Sequence, residues 1–180
     1  MSRLRDLYKA KIVPELHAKF KCKSLMSVPR MDKIVISMGV GKALVDKKYM
    51  DTAIRDLTVI SGQKPLICKA KKSVSNFKVR EGYETGLKVT LRKERMYEFL
   101  DRLINLAIPR VKDFRGLNPG SFDGRGNYSM GMDEQSVFPE IDPSRIENQQ
   151  GMNLTFVTTA KSDEEGHEML RLFGMPFKST

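Results

Sequence analysis

Apolar residues between positions 3 and 20 recur at helical spacing, with Leu4, Leu7, Tyr8, Ile12, Leu16 and Phe20 on one stripe. Pro14 lies inside that run. It predicts a kink or a second helix start, because proline lacks the N–H donor and its ring crowds the preceding turn. From Asp32 to Met38 the period changes to two. Ile34, Ile36 and Met38 take one face and Lys33, Val35 and Ser37 the other, and Gly39 and Gly41 end the strand. Asp46 is placed to cap a helix carrying Met50, Ala53, Ile54, Leu57 and Ile60, with Gly62 suited to its C-terminus. Pro65 opens a second strand over 65–71, with Leu66, Cys68 and Ala70 expected inward and Ile67, Lys69 and Lys71 outward. A third strand over 86–93 turns Leu87, Val89 and Leu91 in and Lys88, Thr90 and Arg92 out. Residues 94–107 form an amphipathic helix with Met96, Phe99, Leu100, Leu103 and Ala107 on its stripe. Residues 109–150 carry little periodicity and are punctuated by Gly116, Gly120, Gly124, Gly126 and Gly131, with Pro119, Pro139 and Pro143. A long irregular segment of that kind is functional or disordered. A last strand over 153–160 turns Leu154 and Phe156 inward and Thr155, Val157 and Thr159 outward, and Asp163 is placed to cap a final helix with Met169, Leu170 and Phe173.

Strand runs separated by helices and hairpins predict an α+β fold. A mostly antiparallel sheet is backed by helices on one face and open on the other. The 180 residues predict one domain, large enough for a core without staples. No apolar run reaches ~18 residues, so no helix is expected to span a membrane, and the basic N-terminus lacks the apolar stretch of a secretory signal. Cys22 and Cys68 are the only cysteines and neither sits in a CxxC, which points to a reducing cytoplasm.

Charge adds the first functional information. The net charge is +10, and it is unevenly spread. Residues 1–93 hold 22 Lys and Arg against 8 Asp and Glu, whereas 94–180 hold 10 against 14. A polyanion-binding surface explains such asymmetry better than solubility does.

The outward strand residues concentrate this charge. Lys33, Ser37, Lys69, Lys71, Lys88, Thr90, Arg92, Thr155 and Thr159 would share the open face, with Val35, Ile67 and Val157 between them, and every charge among these is positive. Lysine and arginine suit phosphate oxygens, and hydroxyls suit phosphate or ribose 2′-OH groups. The alternative is the ordinary solvated face of an antiparallel sheet. No Phe or Tyr lies on this face, so it would read folded RNA by shape and backbone rather than stack unpaired bases. The hairpin loop over 71–86 is basic at Lys71, Lys72, Lys78 and Arg80 with Phe77 and Tyr83 interleaved. Two readings stay open for it: an RNA-touching loop, or a surface loop with Phe77 tucked onto the domain.

Catalytic readings find little support. His17 and His167 lie on separate helices with no partner at useful spacing, and GVGK at 39–42 lacks the spacing of a phosphate-binding loop. No cofactor or metal site is expected.

The run from Leu57 through Gly62, Gln63, Lys64, Pro65 and Lys69 to Ser73 closely resembles the signature of the bacterial large-subunit ribosomal protein five family. The resemblance continues through LYKAKIVPEL, DKIVISMGVG, GLKVTLR, IPRVKDFRG at 108–116 and LFGMPF near the end, covering nearly the whole chain. It implies a non-catalytic component of the large subunit's central protuberance, bound to 5S ribosomal RNA through the open sheet face. Lys33, Gln63 and Thr90 match positions of that contact. Ser37 stands where the family usually has Asn, and serine is the shorter of the two, with a single donor. Together with the charged strand residues, the expected RNA contacts are Lys33, Ser37, Gln63, Lys69, Lys71, Lys88, Thr90 and Arg92. The loop over 72–80 resembles one that reaches peptidyl-site transfer RNA, through Lys72, Ser75, Asn76, Phe77, Lys78 and Arg80. The 109–145 region resembles a part that bridges to the small-subunit head, through Arg110, Lys112, Arg115, Asp133, Glu134, Glu140 and Asp142. Further implied partners are 23S ribosomal RNA, neighbouring large-subunit proteins and small-subunit head protein thirteen.

Overall fold

The computed structural model describes residues 2–146 and 148–178, with backbone alone at Arg145. The fold is α+β. Five strands, β1 (Met31–Gly39), β2 (Leu66–Lys69), β3 (Glu84–Leu91), β4 (Tyr128–Met132) and β5 (Met152–Thr158), form an antiparallel sheet in the order β2-β3-β1-β5-β4. The helices are α1 (Arg3–Leu7), α2 (Val13–Phe20), α3 (Lys48–Ser61), α4 (Lys93–Arg102) and α5 (Asp163–Leu172). The chain packs as two compact units, one of Met1–Ile34, Leu91–Met130 and Thr155–Thr180, the other of Val35–Thr90 and Gly131–Leu154.

In the first unit, the Pro14 problem is solved by a π turn. Tyr8–Ile12 joins α1 to α2 in the wider helical form, and Pro14 falls in the first turn of α2, where a missing N–H costs little. Ile12 and Leu16 are fully buried, while Leu7 is 36% exposed and leaves the predicted stripe. Tyr8 stacks on Phe173 at 5.8 Å, and burial pushes its hydroxyl pKa up to about 12. Arg3 and Arg5 reach Asp101 and Glu94 around α4, at 2.6 and 3.0 Å. His167 lies against Phe177 at 4.4 Å, as a packing histidine does.

Helix α5 begins one residue earlier than its sequence suggests. Ser162 is the cap, its hydroxyl accepting the Glu165 N–H, and Asp163 sits already inside the first turn. Its carboxylate is thereby released to accept the N–H groups of Gly124 and Gly126 at 3.1 and 2.8 Å. Further along α5, Glu168 is 8% exposed and accepts two hydrogen bonds from the Arg171 guanidinium, at 2.9 and 2.6 Å, with the Lys19 ammonium at 2.9 Å. The Arg171 bonds, joined by Lys19 and opposed by burial, hold its carboxyl down to about 2. A depressed folded pKa gives stability that is present above the unfolded value near 4.5 and lost as pH falls towards 2. Wild type should therefore lose on the order of 2–3 kcal/mol between pH 5 and 2 through this residue, before other carboxylates are counted. Glu168→Gln should show a shallower fall in melting temperature over that window; parallel curves would remove the ion cluster from the stability account.

In the second unit, Ile36 and Met38 of β1, Leu87 and Val89 of β3, and Leu57 and Ile60 of α3 are all buried. Asp46 accepts the Lys48 N–H at 2.9 Å, and Gly62 closes α3 in the left-handed conformation at φ 64°. The face assignment of β2 is the reverse of the expected one. Leu66 pairs with Lys88 and Cys68 with Gly86, whereas Ile67 pairs with Leu87, so Ile67 points inward and Leu66 stands 69% exposed on the outer face. Pro65, which the periodicity treats as a flank, is itself buried and takes the first inward slot. That one-residue phase error inverts Leu66, Ile67 and Cys68, and the register shift between Cys68 and Lys69 leaves Lys69 exposed as expected.

The 109–150 region is more regular than its composition suggests. It contributes strand β4, with Tyr128 and Met132 buried, and short 3-10 turns at Gln135–Val137 and Pro143–Arg145.

Candidate nucleic-acid interface

Most of the expected RNA contacts lie in the second unit. Strand β3 exposes Lys88 and half-buries Thr90, and β1 half-buries Ser37 and Val35. Lys69 at the end of β2 and Lys71 beyond it are exposed. Gln63 follows the left-handed Gly62. Its backbone N–H donates to the Ser61 hydroxyl, which donates in turn to the Gln63 carbonyl, so the side-chain amide takes no part in that knot. The ammonium groups of Lys69, Lys71 and Lys88 form no ion pair within the described residues. Three unneutralised cations in the same compact unit as two hydroxyls and an amide suit a phosphate and ribose surface.

The sign of the strand faces is not uniformly positive. Glu84 stands directly across from Lys69, where the β2–β3 register shifts, and it is exposed. In the first unit, Asp32 accepts the Arg92 guanidinium with both oxygens at 3.3 Å and lies 4.0 Å from the Lys33 ammonium. Lys33 and Arg92 thus carry a shared counter-charge that the strand pattern hid, because Asp32 falls at the opposite parity to Lys33. Thr155, expected on the open face, is bonded by the Ser129 hydroxyl at 3.2 Å, and the Thr159 hydroxyl is engaged by the Arg30 backbone.

The loop between β2 and β3 is a miniature hairpin. Val74 and Val79 exchange backbone hydrogen bonds at 2.9 and 3.2 Å, Ser75–Phe77 forms a 3-10 turn, and Lys78 adopts a left-handed φ of 53°. Its tip presents Ser75, Asn76, Lys78 and Arg80 to solvent with Lys72 at the base, and Phe77 is 75% exposed. The tucked arrangement of Phe77 is therefore not the one adopted.

The residues expected to bridge subunits fall into two groups. Arg110, Lys112 and Arg115 lie in the first unit, and all three are exposed. In the second, Asp133 is exposed, while Glu134 is half-buried and accepts hydrogen bonds from Ser136 and Gln149. Asp142 caps the turn at 143–145 through Ser144, and Glu140 falls in the same irregular stretch. Only part of that acidic set is presented outward. Among residues that the sequence pattern does not single out, Gln135 stands apart, with an exposure of 1%.

Comparison with known families agrees with this architecture. Residues 24–80 match the model described as ribosomal protein L5, and residues 84–177 match the model of the same ribosomal family's C-terminus. A basic α+β chain matched over both regions is a ribosomal protein, an RNA-binding part of a ribonucleoprotein. The chain belongs to the ribosomal protein L5 family. Membership makes it a structural constituent of the large ribosomal subunit, in the cytoplasm, with ribosomal RNA and large-subunit proteins as partners, in a family whose role is structural rather than catalytic.

Proposed function

We propose that the chain is a non-catalytic contact protein that docks 5S ribosomal RNA, using the exposed strand residues of the second unit as the main grip. The hairpin over 72–80 touches peptidyl-site transfer RNA, and the 109–145 region meets protein thirteen of the small-subunit head. Contacts to 23S ribosomal RNA and neighbouring large-subunit proteins complete its placement. The observation that carries this reading is the trio Lys69, Lys71 and Lys88, exposed without ion-pair partners among the described residues, in the same compact unit as Ser37, Gln63 and Thr90. The absence of aromatic side chains from those strand faces favours a folded RNA read through its backbone. The projecting Phe77 at a cationic tip supports a separate contact with an RNA loop.

Lys88→Ala tests the grip without touching the core. It should weaken 5S ribosomal RNA binding by about three- to tenfold and reduce the salt slope by about one. Lys33→Ala should have a smaller effect, because Asp32 already offsets its charge. Equal and negligible effects at both positions, with melting temperatures unchanged, would remove the strand faces from the binding surface.

A further inference from the structure

Among the described residues of the 134–150 segment, the buried polar side chain is Gln135, near its start. Gln135 is 1% exposed, and each polar group of its amide is used. The Nε2 group donates to the Asn148 carbonyl at 2.7 Å, and Oε1 accepts the Gln150 N–H at 2.5 Å. Its neighbours extend the network. Gln150 Nε2 donates to the Gly39 carbonyl at the end of β1 at 2.9 Å, and Gln149 Nε2 donates to Glu134 at 3.1 Å. The start and end of a long, glycine-poor excursion are thus tied to each other through one amide, and Gln150 ties its end to β1. A leucine or methionine of similar size would fill the space but leave the half-buried Asn148 carbonyl and Gln150 N–H without this partner.

We infer that Gln135 is a positioning residue for the bridging surface: it latches the 134–150 segment so that its acidic edge is preformed before a cationic partner arrives. This rests on the proposal that the segment meets the small-subunit head. An acidic edge that is already ordered binds without the cost of ordering a flexible loop. Glu134 fits that scheme, because its carboxylate is spent on Ser136 and Gln149 inside the segment, while Asp142 within it and Asp133 immediately before it are exposed.

The test uses the full chain, alone and assembled into large subunits. In the wild-type chain, hydrogen exchange should show the Gln135 side-chain amide and the Gln150 backbone amide protected at least tenfold beyond exposed-loop rates. Exchange of both at loop rates would overturn the inference, and this reading needs no variant to fold. Gln135→Leu should then accelerate exchange across 134–150 by at least tenfold while amides of α3 and β3 stay protected. Subunits carrying it should bind small subunits several-fold more weakly, with 5S ribosomal RNA affinity kept. Asp133→Asn in parallel separates the two ideas. If it weakens association and Gln135→Leu does not, the positioning role is wrong. If neither variant alters association, the bridging assignment itself is wrong.

Discussion

Gly166→Ala should destabilise the protein by about 2–3 kcal/mol, even though alanine is the better helix former. Gly166 lies in the first turns of α5, where replacing glycine ordinarily gains about 0.5–1 kcal/mol. Here a Cβ would stand 2.6 Å from the Gly126 carbonyl oxygen and 3.0 Å from its Cα. Both atoms are backbone, and the loop that carries them cannot retreat. Asp163 holds the Gly124 and Gly126 N–H groups, and the Thr158 hydroxyl donates to the Gly126 carbonyl at 2.8 Å. Asp123 accepts the Arg125 and Asn127 N–H groups, and the Asn127 side chain accepts the Thr158 N–H. Shifting the loop would break several of these bonds at once, so overpacking outweighs propensity. Urea denaturation should show a lower midpoint and a melting temperature down by about 5–10 °C. A variant as stable as wild type would mean the 123–127 loop is free to move.

The second large effect concerns binding. Lys69→Glu with Lys88→Glu should reduce 5S ribosomal RNA affinity by at least about a hundredfold at low salt, because two phosphate contacts are lost and two repulsions are added. The wild-type chain and the double variant should converge as salt rises, since screening removes both attraction and repulsion. Folding should be only modestly affected: both side chains are exposed and form no ion pair among the described residues, but Lys69→Glu sets a second carboxylate across from Glu84. Filter binding across a salt series reads all of this. A loss that persists undiminished at high salt would point to structural damage instead.

The legible parts of this fold are those where one physical signal acts alone. The alternation of Ile34, Ile36 and Met38, and of Leu87, Val89 and Leu91, predicts two core strands, and all six are buried. Gly62 marks the C-terminal end of α3 because capping geometry is local, whereas the N-cap falls on Lys47, one residue after the expected Asp46, whose carboxylate still accepts the Lys48 N–H. Pattern and structure part where two signals compete. Pro65 reads as a strand opener by its backbone chemistry but behaves as an inward apolar side chain, which inverts Leu66, Ile67 and Cys68. Strand β4 does carry a period-two pattern, Tyr128, Met130 and Met132 against Ser129 and Gly131, but it is only five residues long and set in a glycine-rich stretch that reads as loop. On the interface side, the charge and exposure of Lys69, Lys71 and Lys88 can be read from the chain. The counter-charge at Asp32 cannot, because it depends on which strands become neighbours. Gln135 lies beyond reach for the same reason: its importance comes from Asn148 and Gln150, which only the fold brings against its side chain.

The central claim is that the exposed lysine surface docks 5S ribosomal RNA specifically. The most direct measurement is a salt-titrated binding assay of the purified chain against 5S ribosomal RNA, with a transfer RNA of similar size as competitor. The account predicts tight binding that falls steeply with salt while 5S ribosomal RNA remains favoured throughout the series. Equal, weak binding to both RNAs at every salt concentration would contradict it and reduce the lysine surface to a generic attraction for phosphate.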